Sequence, residues 1–201
     1  MPREPLQDRS RETRRKLLDA ALETLTGQGL AATSVSAVAQ RAQVSRGAAQ
    51  HHFPTRDILI EATLDEFFQE RTHALRESVA QLPAGIGGAP VSEVVTLVFG
   101  FYSNDPFSAA LQVWAGAAVD DSLRDIIVPA ENRYSREVTQ LAALALDADM
   151  SDRGTRRLLN MTLDLARGLG LASALVDNTA HRDTVIETWS GILASGIRRN
   201  G

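Results

Sequence analysis

Apolar residues return every three to four positions along almost the whole chain, and no pair of segments alternates with the two-residue period of paired strands. The spacing of Leu17, Ala20, Ala21 and Leu25, with Leu18 and Leu22 alongside, predicts a first helix over Arg11–Gln28, ended by Gly27 and Gly29. Ser34 is placed to cap a second helix through Arg41, and Ser45 a third through His52. Pro54 interrupts the pattern, and Thr55 then caps a longer helix into the high 70s. Residues 82–90 are a loop rich in Gly and Pro. Further helices are predicted over Val91–Tyr102, after an Asn104-Asp105-Pro106 turn over Phe107–Val119, and from Asp120-Asp121 to about Ala148. Pro129 lies inside the last of these and predicts a break or kink. Ser151 is expected to cap a helix to about Leu175, and the final helix runs from Thr179 or Ala180 to Arg199. The fold class is therefore all-α, with about nine helices. A three-helix head with a helix-turn-helix joins a six-helix body, and the fourth helix bridges them. The expected domains are a flexible basic arm over 1–10, a head over 11–54 and a body over 55–201.

Composition narrows the chemistry. The 201 residues are 44% hydrophobic and 23% charged, and none is cysteine. That removes disulfides, thiolate nucleophiles and thiolate zinc sites, and fits a reducing cytoplasm, the expected location. No long apolar run suggests a leader or a membrane span. The net charge of −4 argues against nucleic acid until its distribution is considered. Residues 1–60 carry nine Arg and Lys against six Asp and Glu, whereas residues 61–201 carry twelve against nineteen. The positive excess lies with the short third helix, as an electrostatic footprint for DNA requires.

That helix carries the candidate chemistry. Arg46 lies near its start, within reach of a guanine edge or a phosphate, and Gln50 suits an adenine edge. His51 and His52 are expected to meet phosphate as neutral donors. Ser34, Ser45 and Thr55 stand at helix starts, where free backbone amides attract phosphate. Arg56 is expected to favour a phosphate as well. Ala48 and Ala49 permit close approach, Ala42 and Val44 plug the turn, and Phe53 folds back as a core anchor. Ser45 reads as a cap rather than a nucleophile. The paired histidines have no third ligand nearby, so no metal site is assigned. No HExxH, phosphate-binding glycine loop or nucleophile elbow is present, and neither an enzyme activity nor a cofactor is expected.

In the order and spacing of these elements the head resembles the N-terminal domain of the TetR family of bacterial transcriptional repressors. Leu17 with Ala20-Ala21, Gly29-Leu30, Thr33-Ser34-Val35, Ala42-Gln43-Val44-Ser45-Arg46-Gly47, His52-Phe53 and Pro54-Thr55-Arg56-Asp57 carry the likeness, over about residues 11–60. The chain departs from the pattern in two places. Ala48-Ala49-Gln50 stands where members often have Thr-Leu-Tyr, and Gln43 replaces the usual turn glycine. Gln43 must therefore avoid positive φ or accept strain.

The resemblance implies a homodimer on a palindromic operator, with two recognition helices about 34–36 Å apart or a multiple of that. It also implies release by a small-molecule effector. The last two helices are the expected seam, with Leu165, Leu169, Ala172, Ile186, Trp189 and Leu193 in the interface. Phe99, Tyr102, Phe107, Leu111, Trp114 and Met161 are the expected lining of an effector cavity. A transcriptional activator of the same fold, or a helical protein-interaction module without specific DNA binding, are the alternatives.

Overall fold

The structure, a computed structural model, describes residues 4–83 and 87–200. Nine α-helices occur among them: α1 (Glu4–Gln28), α2 (Val35–Arg41), α3 (Arg46–His52), α4 (Arg56–Ala80), α5 (Val91–Phe101), α6 (Asp105–Ala117), α7 (Asp121–Ala145), α8 (Arg153–Ser173) and α9 (Thr179–Gly196). A short 3-10 turn, Leu30–Ala32, separates α1 from α2. The described residues contain no β-strand; Ala148 and Arg199 form an isolated bridge.

The chain packs as two units. One comprises the residues up to Gln69 together with Ala109–Glu131, the other Glu70–Ser108 with Asn132 onward. The expected head lies wholly within the first. Its core joins Leu17, Leu18, Ala20 and Ala21 of α1 to Val38 and Ala39 of α2, Ala49 of α3, Phe53 and Leu59. In the second unit α5 packs on α8 and α9. It buries Val91, Val94, Val95, Val98 and Phe99. The buried stripe of α8 is Thr155, Leu159, Thr162, Leu163, Ala166 and Gly170. At Gly170 an added Cβ would lie 1.8 Å from the carbonyl oxygen of Tyr102 and 2.5 Å from the Phe107 ring, so only a glycine admits this approach.

Several expected boundaries shift. The helix of α1 begins at Glu4, so residues 4–10 continue it and are not a separate arm; residues 1–3 lie outside the described residues. Pro5 falls in the first turn, where its missing N–H has no intrahelical partner to lose. Exposed pairs such as Glu12–Lys16, 2.7 Å apart, then extend the helix. Residues 84–86 of the glycine-rich loop also lie outside the described residues. The cap of α8 is Asp152, whose carboxylate accepts from Thr155 N at 2.7 Å, whereas Ser151 bonds to Asp149. α7 continues through Pro129 without interruption. Pro129 and Asp125, whose carbonyl loses its partner, are both exposed, so that carbonyl meets water rather than the core. α9 stops at Gly196, short of Arg199. There Ile197 turns extended, and Arg198 and Asn200 bond across to residues 147–149 and 155.

Candidate nucleic-acid interface

The short segment from Ser34 to Phe53 is built almost entirely from local bonds. Ser34 Oγ accepts from Ala37 N at 3.1 Å and starts α2. Ser45 Oγ accepts from Ala48 N at 3.3 Å and starts α3. Between them Ala42 N donates to Val38 O and Val44 N to Ala39 O, closing the turn. The turn needs one left-handed residue, and Gln43 supplies it with φ of 55°. Its substitution for glycine therefore leaves the geometry in place at a conformational cost.

This geometry sorts the residues of α3 onto two faces. Ala49 is buried, and Phe53, one turn on, is buried beneath it. A seven-residue helix has too few internal bonds to persist alone, so this plug into α1 and α2 is what holds it. Arg46, Gly47, Gln50 and His51 are exposed on the opposite face, while Ala48 and His52 are half-buried at its edges. Arg46 and Gln50 are one turn apart, and their side chains make no hydrogen bond or ion pair among the described residues. At Gly47 a Cβ would meet nothing within 4 Å, so packing within the chain does not demand glycine there. An outside surface approaching this face closely is what would.

The two histidines differ. His51 is exposed, and its ring lies edge-on to His52 at 5.6 Å. Burial holds the His52 imidazole below its ordinary pKa, with His51 and Arg14 adding like-charge repulsion. Near neutral pH His52 is therefore uncharged and able to donate from one ring nitrogen.

Two arginines that the sequence pattern left out of the site help to hold it. Arg14 stacks 5.8 Å from the centre of the Phe53 ring, and Arg41 Nε donates to Glu23 at 2.8 Å, tying α2 to α1. The partners are far apart in sequence, and no local pattern pairs them. Thr55 Oγ1 accepts from Ile58 N at 3.3 Å, the cap at the start of α4. Arg56, exposed at the start of α4, also bonds within the head. Its Nη2 donates to Leu30 O at 2.6 Å and its Nε to Thr33 O at 3.1 Å. The guanidinium satisfies carbonyls around the 3-10 turn and clips α4 to the chain preceding α2.

The expected effector-lining residues do not lie in one unit. Phe99, Tyr102, Phe107 and Met161 belong to the second, Leu111 and Trp114 to the first. Phe99, Tyr102 and Phe107 are buried, Tyr102 and Phe107 in an edge-on ring pair at 5.2 Å. Leu111 and Trp114 are half-buried. Met161 is 48% exposed on the outer side of α8.

The expected interface residues also divide. Leu165, Leu169, Ala172 and Ile186 are half-buried. Trp189 and Leu193 are sealed inside the chain, 6% and 1% exposed, and Trp189 Nε1 donates to Thr162 Oγ1 at 2.9 Å. A second chain cannot reach those two. The exposed apolar side chains of this region are Met161, Leu171, Leu175, Val176 and Ile192.

No group of three or more potential metal ligands is present among the described residues, and no described helix is long and apolar enough to cross a membrane.

Comparison with known proteins agrees with this geometry. The model of bacterial regulatory proteins, tetR family, matches residues 17–63, which span α2, the turn and α3. The HTH-type transcriptional regulator CymR of Pseudomonas putida is 31% identical over 172 residues, 83% of this chain and 81% of CymR. Among solved structures, a member of the TetR family from Streptomyces coelicolor A3, SCO1917, shares the fold with a TM-score of 0.64 at 24% identity, over 93% of this chain and 99% of that one. The multidrug binding protein EbrR, complexed with imidazole, shares it with a TM-score of 0.60 at 24% identity, over 94% and 96% of the two chains. With its capped, plugged and outward-facing α3, and with a relative aligned along most of both chains, this protein belongs to the TetR family of bacterial helix-turn-helix transcriptional regulators.

Proposed function

We propose that the chain is a transcriptional repressor that binds a palindromic operator as a homodimer and lets go when a small-molecule effector occupies the body. In this reading residues 11–54 form the DNA-binding domain and residues 55–201 the sensing and dimerising domain. The observation that carries it is the two-faced α3, with Ala49 and Phe53 sealed inward and Arg46, Gly47, Gln50 and His51 facing out. Arg46 and Gln50 contact base edges or phosphate, and open space at Gly47 lets the duplex come close. His51 and neutral His52 donate to phosphate, and Ser34, Ser45, Ala48 and Thr55 lie along the backbone path. Arg56 acts from behind, by fixing the start of α4.

A single short helix covers too little duplex for tight specific binding, so two heads on one operator are required. The exposed apolar side chains Met161, Leu171 and Ile192, with half-buried Leu165 and Ala172, support a seam on α8 and α9. EbrR was solved with imidazole, and effector binding by this chain is inferred from such likeness and from its fold. An effector releases DNA only if it binds the released conformation more tightly than the operator-bound one.

Selection of bound fragments from a genomic pool tests the reading. Recovery of sites with two inverted half-sites supports it. Recovery of no enriched sequence at low salt would leave a protein-interaction module instead, and recovered sites lying upstream of promoter elements would favour an activator.

A further inference from the structure

Within the second packing unit, an open cleft of about 340 Å³ lies between α7 and α8. None of the six side chains expected to line an effector cavity lines it. Three arginines do: Arg136 from α7, and Arg156 and Arg167 from α8. Asp164 is the one carboxylate among the described lining residues, which leaves the cleft with an excess of positive charge. That is opposite in sign to residues 61–201 as a whole, where acidic side chains outnumber basic ones nineteen to twelve.

The three cations are held in different ways. Arg167 is fixed in place: Nη2 donates to Ser135 Oγ across on α7, Nη1 stands 3.5 Å from Asp164, and the guanidinium lies 5.7 Å from the centre of the Tyr102 ring. Arg156 is clamped on one side only, where Nη1 donates to the carbonyls of Met150 at 2.6 Å and Ser151 at 2.8 Å. Its Nε and Nη2 have no partner among the described residues. Arg136 is exposed and makes no hydrogen bond or ion pair among the described residues. Leu163, buried, gives the cleft an apolar floor, and Asn160 adds an amide at its rim.

Three like charges gathered beside a single carboxylate are left with an unbalanced positive excess, and the arrangement becomes more favourable when an anion enters. Guanidinium groups also present planar forks that match an oxyanion with two parallel hydrogen bonds. We propose that this cleft is a binding site for a small organic anion, received through its carboxylate or phosphate group by Arg136 and Arg156. Arg167 adds its field from a fixed position, and the apolar part of the ligand rests on Leu163. The site stands whether or not its occupant controls DNA binding.

Calorimetric titration of the full chain at low, constant ionic strength tests this, with citrate and inorganic phosphate as separate probes. Saturable binding is expected with one or both, and the probe that binds more tightly assigns the headgroup. Arg136→Gln should weaken that binding at least about tenfold, the usual scale for losing a charge-assisted hydrogen bond. Arg156→Gln should also weaken it, which keeps the test open if either variant folds poorly. Arg157→Gln, exposed on α8 but outside the cleft, should leave the affinity unchanged. Absence of saturable binding by both probes would overturn the proposal, as would equal losses in Arg136→Gln and Arg157→Gln.

Discussion

The two ends of the chain turn opposite chemistries toward their surroundings. α3 hides its apolar side chains, Ala49 with Phe53 behind it, and leaves Arg46, Gln50 and His51 exposed outside. α8 and α9 do the reverse with part of their surface. They use polar side chains internally, as where Thr162 accepts from the Trp189 indole and Thr155 from the backbone N–H of Arg198, and leave Met161, Leu171 and Ile192 exposed. A polyanion with hydrogen-bonding edges suits the first surface, and another apolar helix face suits the second. The difference teaches that α3 is held for presentation: its few fixed contacts lie on one side so that the other stays available. The body is held by deep interlocking, with a glycine where α8 presses against the Tyr102–Phe107 corner.

The contrast can be broken from either side. Phe53→Ala should have the largest effect, destabilising the head by about 3–5 kcal/mol through loss of the plug beneath α3. Urea unfolding followed by circular dichroism measures it, and a loss below about 1 kcal/mol would show that α3 is held otherwise. Gly170→Ala strikes the body. A Cβ 1.8 Å from a carbonyl oxygen forces helix and corner apart, at a cost of about 3 kcal/mol, read from the same unfolding curves. Gln43→Gly should stabilise the head by about 0.5–1 kcal/mol, since φ of 55° is strained for glutamine and free for glycine.

The smallest effect concerns His52. Its folded pKa lies below the ordinary value, so the unfolded chain binds the proton more readily. The stability that depends on it is complete above the unfolded pKa, about 6.5, and declines as pH falls from there toward the depressed folded value. His52→Gln should flatten that acid-side decline, as thermal unfolding between pH 7.5 and 5 would report.

How much of this was legible in the sequence follows from the range of the interactions. Ser34, Ser45 and Thr55 were readable as caps because each bonds to an amide three residues on. Phe53 was readable as the anchor of this corner, but the pattern left open whether Ala49 packs inward, which the structure decides. The inward bonds of Arg56 were not readable, because its carbonyl partners, Leu30 and Thr33, lie in a turn that only the folded head brings near. In the body, α9 offers apolar residues on more than one face. Nothing local says that Trp189 and Leu193 turn inward while Ile192 turns out. Thr155 and Thr162 disguise the core stripe of α8 as polar, because the groups that satisfy their hydroxyls arrive from the far end of the chain. The arginine cleft was hidden likewise, its cations being contributed by two helices.

The claim on which the functional account depends is that the outer face of α3 meets DNA. Fluorescence anisotropy of a recovered operator at fixed salt, comparing the wild-type chain with Arg46→Ala, tests it most directly. The account predicts an affinity loss of about tenfold or more for Arg46→Ala, with unfolding curves unchanged because the side chain has no partner among the described residues. Unchanged operator affinity in Arg46→Ala and in the Arg46→Ala, Gln50→Ala double variant would contradict it.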